Sequence, residues 1–181
     1  MRGYVSVLQG TAALFALGLA FGAGAQKIER PEVPKELQAS AGEEVVLRAH
    51  AKGVQIYSCA AGTDGKYAWT LKAPKAKLFN DQGKLIGEHF AGPTWKLKDG
   101  SEVTGKPIVK HDAPKAGAIQ WLLISVTGHK GNGALEHVTT IQRVNTEGGV
   151  VNAAKICNAS NGGTETKSKY SADYYFYAEK K

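Results

Sequence analysis

The chain is short of the residues that most catalytic and nucleic-acid chemistry relies on. Its 181 residues include two cysteines, one methionine and only four arginines (2, 30, 48 and 143) beside 19 lysines. Scarce arginine removes the bidentate forks with which proteins read bases, and nucleic acid is not expected as a partner. Two cysteines without a C-x-x-C spacing exclude a dithiol redox motif and a cysteine-rich zinc site. No G-x-S-x-G elbow and no G-x-G-x-x-G between a strand and a helix is present, so no cofactor is expected. No segment carries a helical period over three turns. Beyond residue 25 no apolar run approaches the 18 or so residues of a membrane span.

The first 25 residues differ from the rest. Arg2 is followed by an uncharged stretch from Gly3 to Gly24 with an apolar centre from Leu8 to Phe21. It ends in Ala23-Gly24-Ala25, the small-x-small pattern cut by signal peptidase. The expectation is a signal peptide over 1–25, a mature start at Gln26 and a secreted or periplasmic protein. The alternative is an uncleaved anchor. The remaining stretch of about 156 residues suits one domain and can bury about 68–70% of its unfolded surface. Apolar content of 43% and charged content of 22% are ordinary globular values. Cys59 and Cys157 both lie in this part, and an oxidising compartment permits a disulfide between them. Closing a loop of about 100 residues is worth up to ~4.7 kcal/mol in the chain-entropy model. The alternative is two buried thiols.

Loss of Arg2 lowers the net charge from +7 to +6. Between Lys66 and Lys115 there are 10 lysines against 5 acidic residues, a surplus of +5. A basic face of that kind attracts anionic lipid headgroups or polyanionic glycans, and the expected partner is an unknown small molecule or such a cell-envelope polyanion. The plain alternative is a solvated lysine-rich surface.

Residues 26–40, with Pro31 and Pro34, read as an extended, partly mobile lead-in. From 41 to 181 short β-type runs alternate with Gly, Asp, Asn and Pro, the pattern of a single all-β domain. Runs are expected at Glu43–Ala49, with Val45, Leu47 and Ala49 on one face, and at Val54–Cys59. Tyr67–Lys72 is ended by Pro74. Leu85–Phe90, Thr94–Leu97 and Glu102–Lys110 follow. Ile119–Thr127, apolar on both faces, and Ala134–Val144 are expected to be central strands. Ala153–Cys157 reads as one helical turn, and Tyr170–Tyr177 as a last strand, aromatic on both faces. The predicted fold is an antiparallel sandwich or partly closed barrel with little helix.

Several constellations could carry chemistry. His89, Trp95, Asp99 and Ser101 lie within 13 residues, and a strand–turn–strand could bring His89 to Asp99 as a held base. Equally, Gly92-Pro93 and Asp99-Gly100 are turns, Trp95 packs, and His89 bonds a carbonyl. Gln142-Arg143 interrupts an apolar strand, and alternation sends one side chain to each face. An inward Arg143 needs a carboxylate such as Asp99, Glu136 or Asp173, or serves as a clamp for an anion or sugar acid. Trp121 and the tyrosines fit either a core or a ligand cleft. The five histidines lack metal-site spacing, and no metal is expected.

The runs Gly53–Cys59, Gly87–Trp95, Ile141–Gly149 and Tyr170–Tyr177, with Trp121-Leu122-Leu123 and Cys157, together resemble the exported family filed as domain of unknown function 3455, found in bacteria and fungi. The resemblance covers about Leu37 to Tyr177 and implies no established activity. The reading is therefore a non-catalytic small-ligand-binding or envelope-associated module, with candidate contacts at His89, Trp95, Asp99, Trp121 and Arg143. The alternatives are a hydrolase or oxidoreductase using His89 and Asp99, and a structural envelope protein.

Overall fold

The computed structural model describes Gly3 and residues 27–181, so the expected signal peptide lies outside the described residues apart from Gly3. Eight strands follow in chain order: β1 (Glu43–Ala61), β2 (Tyr67–Phe79), β3 (Leu85–Phe90), β4 (Thr94–Leu97), β5 (Glu102–His111), β6 (Trp121–Lys130), β7 (Val138–Gly148) and β8 (Glu165–Glu179). Each pairs antiparallel with the next, and β8 returns to pair with β1. The architecture is a closed ring, not a two-sheet sandwich. Closure satisfies strand edges that a sandwich leaves open. Among the described residues helix is limited to two 3₁₀ turns, Lys35–Leu37 and Ala159–Asn161.

The two runs Glu43–Ala49 and Val54–Cys59 are one 19-residue strand. Gly53 does not break it. A Cβ there would lie 2.2 Å from the Lys75 carbonyl oxygen and 2.4 Å from the Ala76 Cα, so glycine lets β1 and β2 approach closely. Val45 and Leu47 do not share a face. A register shift between them pairs Val45 with Tyr177 and Leu47 with Phe176, neighbours that point to opposite sides. Pro74 lies inside β2, because on the β3 side that stretch has no partner requiring its missing N–H. The strand expected from Ala134 begins only at Val138, after a loop in which Leu135 is fully buried. Ala153–Cys157 is a turn without helix; the nearby 3₁₀ turn is capped by Asn158, whose side chain accepts from the Ser160 N–H.

Two apolar clusters hold the ring. Trp95, Ile124, Ile141, Tyr174 and Phe176 fill its interior. A second cluster lies outside, where Leu123, Val144, Tyr175 and Tyr177 meet Leu37, Ile28 and Val33 of the lead-in. This explains the doubly apolar Ile119–Thr127 run: Leu122 and Ile124 face inward and Leu123 faces the lead-in. The lead-in is docked rather than loose. Leu37 is fully buried, and its carbonyl accepts from Gln142 Nε2 at 2.6 Å. Arg30 donates to the Ala39 and Ser40 carbonyls and lies 5.2 Å over the Tyr177 ring. Burying Leu37 contributes about 1.5–3 kcal/mol. Cys59 and Cys157 form a disulfide with a Cα–Cα distance of 5.5 Å, tying the end of β1 to the β7–β8 connection.

Candidate functional site

The ring is uneven. β3 and β4 have six and four residues, against thirteen in β2 and ten in β5. β2 pairs with β3 only from Ala76 to Phe79, and β4 with β5 only from Glu102 to Thr104. Above this short hairpin, Tyr67–Lys75 of β2 and Lys106–His111 of β5 face a gap in the wall. Pro74 and Pro107 lie on those two stretches, and Pro93 lies in the hairpin turn. All three line the gap, and proline blunts an open edge because it offers no N–H.

The gap opens on a cavity of about 210 Å³ lined by Gln55, His89, Trp95, Arg143 and Tyr174. Leu71, Leu122 and Ile124 add apolar wall, and Lys110 adds a second cation. A larger hollow of about 690 Å³ lies near the start of β1, among residues such as Val46, His129 and His137. None of the buried unpartnered side-chain atoms belongs to it. The smaller cavity is therefore the better candidate.

Arg143 stands opposite Tyr174 on β8 and Leu122 on β6, both core residues, so it faces inward. Alternation turns its neighbour Gln142 outward to the lead-in. The Arg143 Nε and Nη2 donate to the Gln120 carbonyl at 3.1 and 2.7 Å. Among the described residues no carboxylate pairs with Arg143, contrary to the expectation for an inward arginine. Asp173 is held instead by His50 and Asn145, at 2.6 and 2.9 Å.

His89 stacks on Trp95 with ring centroids 4.4 Å apart. Its Nδ1 lies 2.8 Å from the Thr94 carbonyl oxygen. A carbonyl can only accept, so Nδ1 carries the proton and Nε2 keeps a lone pair. Burial pushes the His89 pKa down to about 3, against the opposing pull of the Thr94 bond and with help from nearby Arg143. The ring is neutral at physiological pH. Burial also raises the Tyr174 hydroxyl, although Arg143 pulls the other way, so it stays protonated. Gln55 Oε1, Trp95 Nε1 and the Tyr174 hydroxyl are buried without a hydrogen-bond partner. Leaving such a group unpaired costs about 1–3 kcal/mol.

The structure thus brings His89, Trp95 and Arg143 together and leaves Asp99 and Trp121 elsewhere. Asp99 belongs to the β4–β5 turn. Its Oδ1 accepts from the Ser101 N–H and hydroxyl, and its Oδ2 from the Ala134 N–H. Burial raises its pKa, but these hydrogen bonds outweigh burial and hold it low. Trp121 packs outside the ring against the lead-in cluster. Sequence reasoning missed Gln55 and Lys110. Gln55 had a signal, since it continues the inward period of Ala49 and Ala51 with an amide. Among the described residues no three His, Cys, Asp or Glu side chains converge to hold a metal, and no helix is long and apolar enough to cross a membrane.

No curated protein and no solved structure matches this chain. A family model described as "Protein of unknown function (DUF3455)" matches residues 40–178, from the first residues before β1 to the end of β8. The match covers the whole ring and most of the sequence, and the chain belongs to that family.

Proposed function

We propose that this protein is an exported, non-catalytic binding module that takes a small organic anion through the gap between β2 and β5. Arg143 is the observation that carries this reading: an inward guanidinium in a largely apolar ring, with no carboxylate among the described residues to neutralise it. Arg143 is half-buried at the gap and spends two N–H groups on the Gln120 carbonyl, and a bound anion would meet the rest of the guanidinium through charge-assisted hydrogen bonds. Lys110 beside it, and the lysine surplus of Lys66–Lys115 on the strands that frame the gap, supply attraction at longer range. The disulfide and the pattern of residues 1–25 support an oxidising destination outside the cytoplasm.

The test is thermal-shift and calorimetric titration of the mature protein with small monocarboxylates, beside Arg143→Met. Saturable stabilisation of the wild type and none of the variant is expected. Equal responses of the two proteins, or no response to any anion, would overturn the reading.

A further inference from the structure

Resting on that reading, we infer that the cavity is specific for a 2-hydroxycarboxylate with a compact apolar body, His89 accepting the hydrogen bond of its hydroxyl. The polar atoms in the cavity are of two kinds. Arg143, Trp95 Nε1 and the Tyr174 hydroxyl donate, and a carboxylate satisfies them. Gln55 Oε1 and His89 Nε2 accept. The first is buried and unpartnered, and the second is left over once Nδ1 bonds Thr94. His89 is 3% exposed and lines the cavity, its ring otherwise packed against Trp95 and Tyr174.

The Gln55 amide can turn its Nε2 toward a carboxylate and donate, but His89, its Nδ1 held by Thr94, can only accept there, and a plain carboxylate would leave it unpaired beside its own negative charge. A ligand that also brings one donor pairs His89 Nε2 as well, as buried polar atoms require. A hydroxyl on the carbon next to the carboxylate supplies that donor at the shortest reach. An ammonium in the same place would donate too, but it would stand beside Arg143 and Lys110 and cancel the ligand's net charge. Apart from Gln120 and Lys110, the rest of the wall is apolar: Leu71, Leu122, Ile124 and the three prolines. The cavity volume of about 210 Å³ is roughly seven waters at ~30 Å³ each. It therefore takes one small branched or cyclic group and not a polymer segment.

Calorimetry with three ligands of one carbon skeleton tests this: 2-hydroxy-4-methylpentanoate, 4-methylpentanoate and leucine. The hydroxy acid is expected to bind the wild type about tenfold or more tighter than the deoxy acid, the value of one well-made hydrogen bond. Leucine is expected to be weaker still. His89→Phe keeps a ring against Trp95 but has no acceptor, and should shrink the preference to less than about threefold. Nitrogen NMR of wild-type His89 gives a readout that does not depend on the variant folding: its Nε2 resonance should shift with the hydroxy acid and stay put with the deoxy acid. Equal affinity for hydroxy and deoxy acids, tighter leucine, or an unmoved Nε2 would overturn the hydroxyl assignment while anion binding stands. Failure of all three to bind would overturn both.

Discussion

Along β8 the inward Tyr174 and Phe176 and the outward Tyr175 and Tyr177 are all buried, whereas along β2 the stretch from Tyr67 to Lys72 is largely exposed, Leu71 at 56%. The two strands belong to unlike halves of one ring. From β6 round to β1 the wall is filled from inside and covered outside by the lead-in. From β2 to β5 the wall is interrupted by a short hairpin and edged with proline. On the outer face under the lead-in, Gln142 finds partners in the Leu37 carbonyl and the Tyr177 hydroxyl. Facing the opening, by contrast, Trp95 of β4, Gln55 of β1 and Tyr174 of β8 keep polar atoms unpaired. Apolar burial is concentrated where both faces are covered, and three of the five buried unpartnered side-chain atoms among the described residues belong to residues lining the gap.

The largest effect that would sharpen this contrast is expected in the covered half. Phe176→Ala should cost about 3–5 kcal/mol in urea unfolding, because a fully buried ring would leave a cavity between well-packed strands. Leu71→Ala in the other half should cost much less, since Leu71 is already more than half exposed. Similar losses at the two sites would erase the distinction.

An intermediate effect is expected from pH. His89 has a folded pKa near 3 and an unfolded value near 6.5. Between these values the unfolded chain binds the extra proton, so stability present above pH 6.5 is lost as pH falls. Over the two units from 6.5 to 4.5, before carboxylates contribute, the loss should be about 2–3 kcal/mol. His89→Phe should be flatter across that window by the same amount. A variant whose pH dependence matches the wild type would show that His89 is not held neutral.

The smallest effect is expected at Arg143, and its sign is informative. Arg143→Met should change stability by no more than about 1 kcal/mol, and toward greater stability, because an unpaired inward charge is being removed. A loss above about 2 kcal/mol would instead make Arg143 a structural clamp on the Gln120 carbonyl that helps close the ring.

Much of the fold was legible in the residues. Leu85–Phe90 and Thr94–Leu97 are strands with the expected bounds, and the run around Ile119–Thr127 is covered on both faces. The disulfide joins the two cysteines expected to pair. What misled was local punctuation. Gly53 and Pro74 read as breaks, yet each sits in a strand at a place where pairing geometry calls for it. Val45 and Leu47 share a period-2 face on paper, and one bulge parts them. The site was half legible. Gln142-Arg143 announced an unusual strand with one residue to each face, and His89 and Trp95 were singled out. Asp99 was grouped with His89 because they are close in sequence, but its carboxylate is consumed by the turn it closes.

By itself the sequence determined the all-β character, the residues able to pair as a disulfide, and the alternation that separates Gln142 from Arg143, because these follow from side-chain chemistry and a strand's two-residue period. Only the tertiary structure decided that the strands close into a ring, that the lead-in covers one side of it, and that the gap falls where His89, Gln55 and Arg143 meet. Those outcomes depend on the relative lengths of strands far apart in the chain and on which neighbours they find, and no local pattern encodes either.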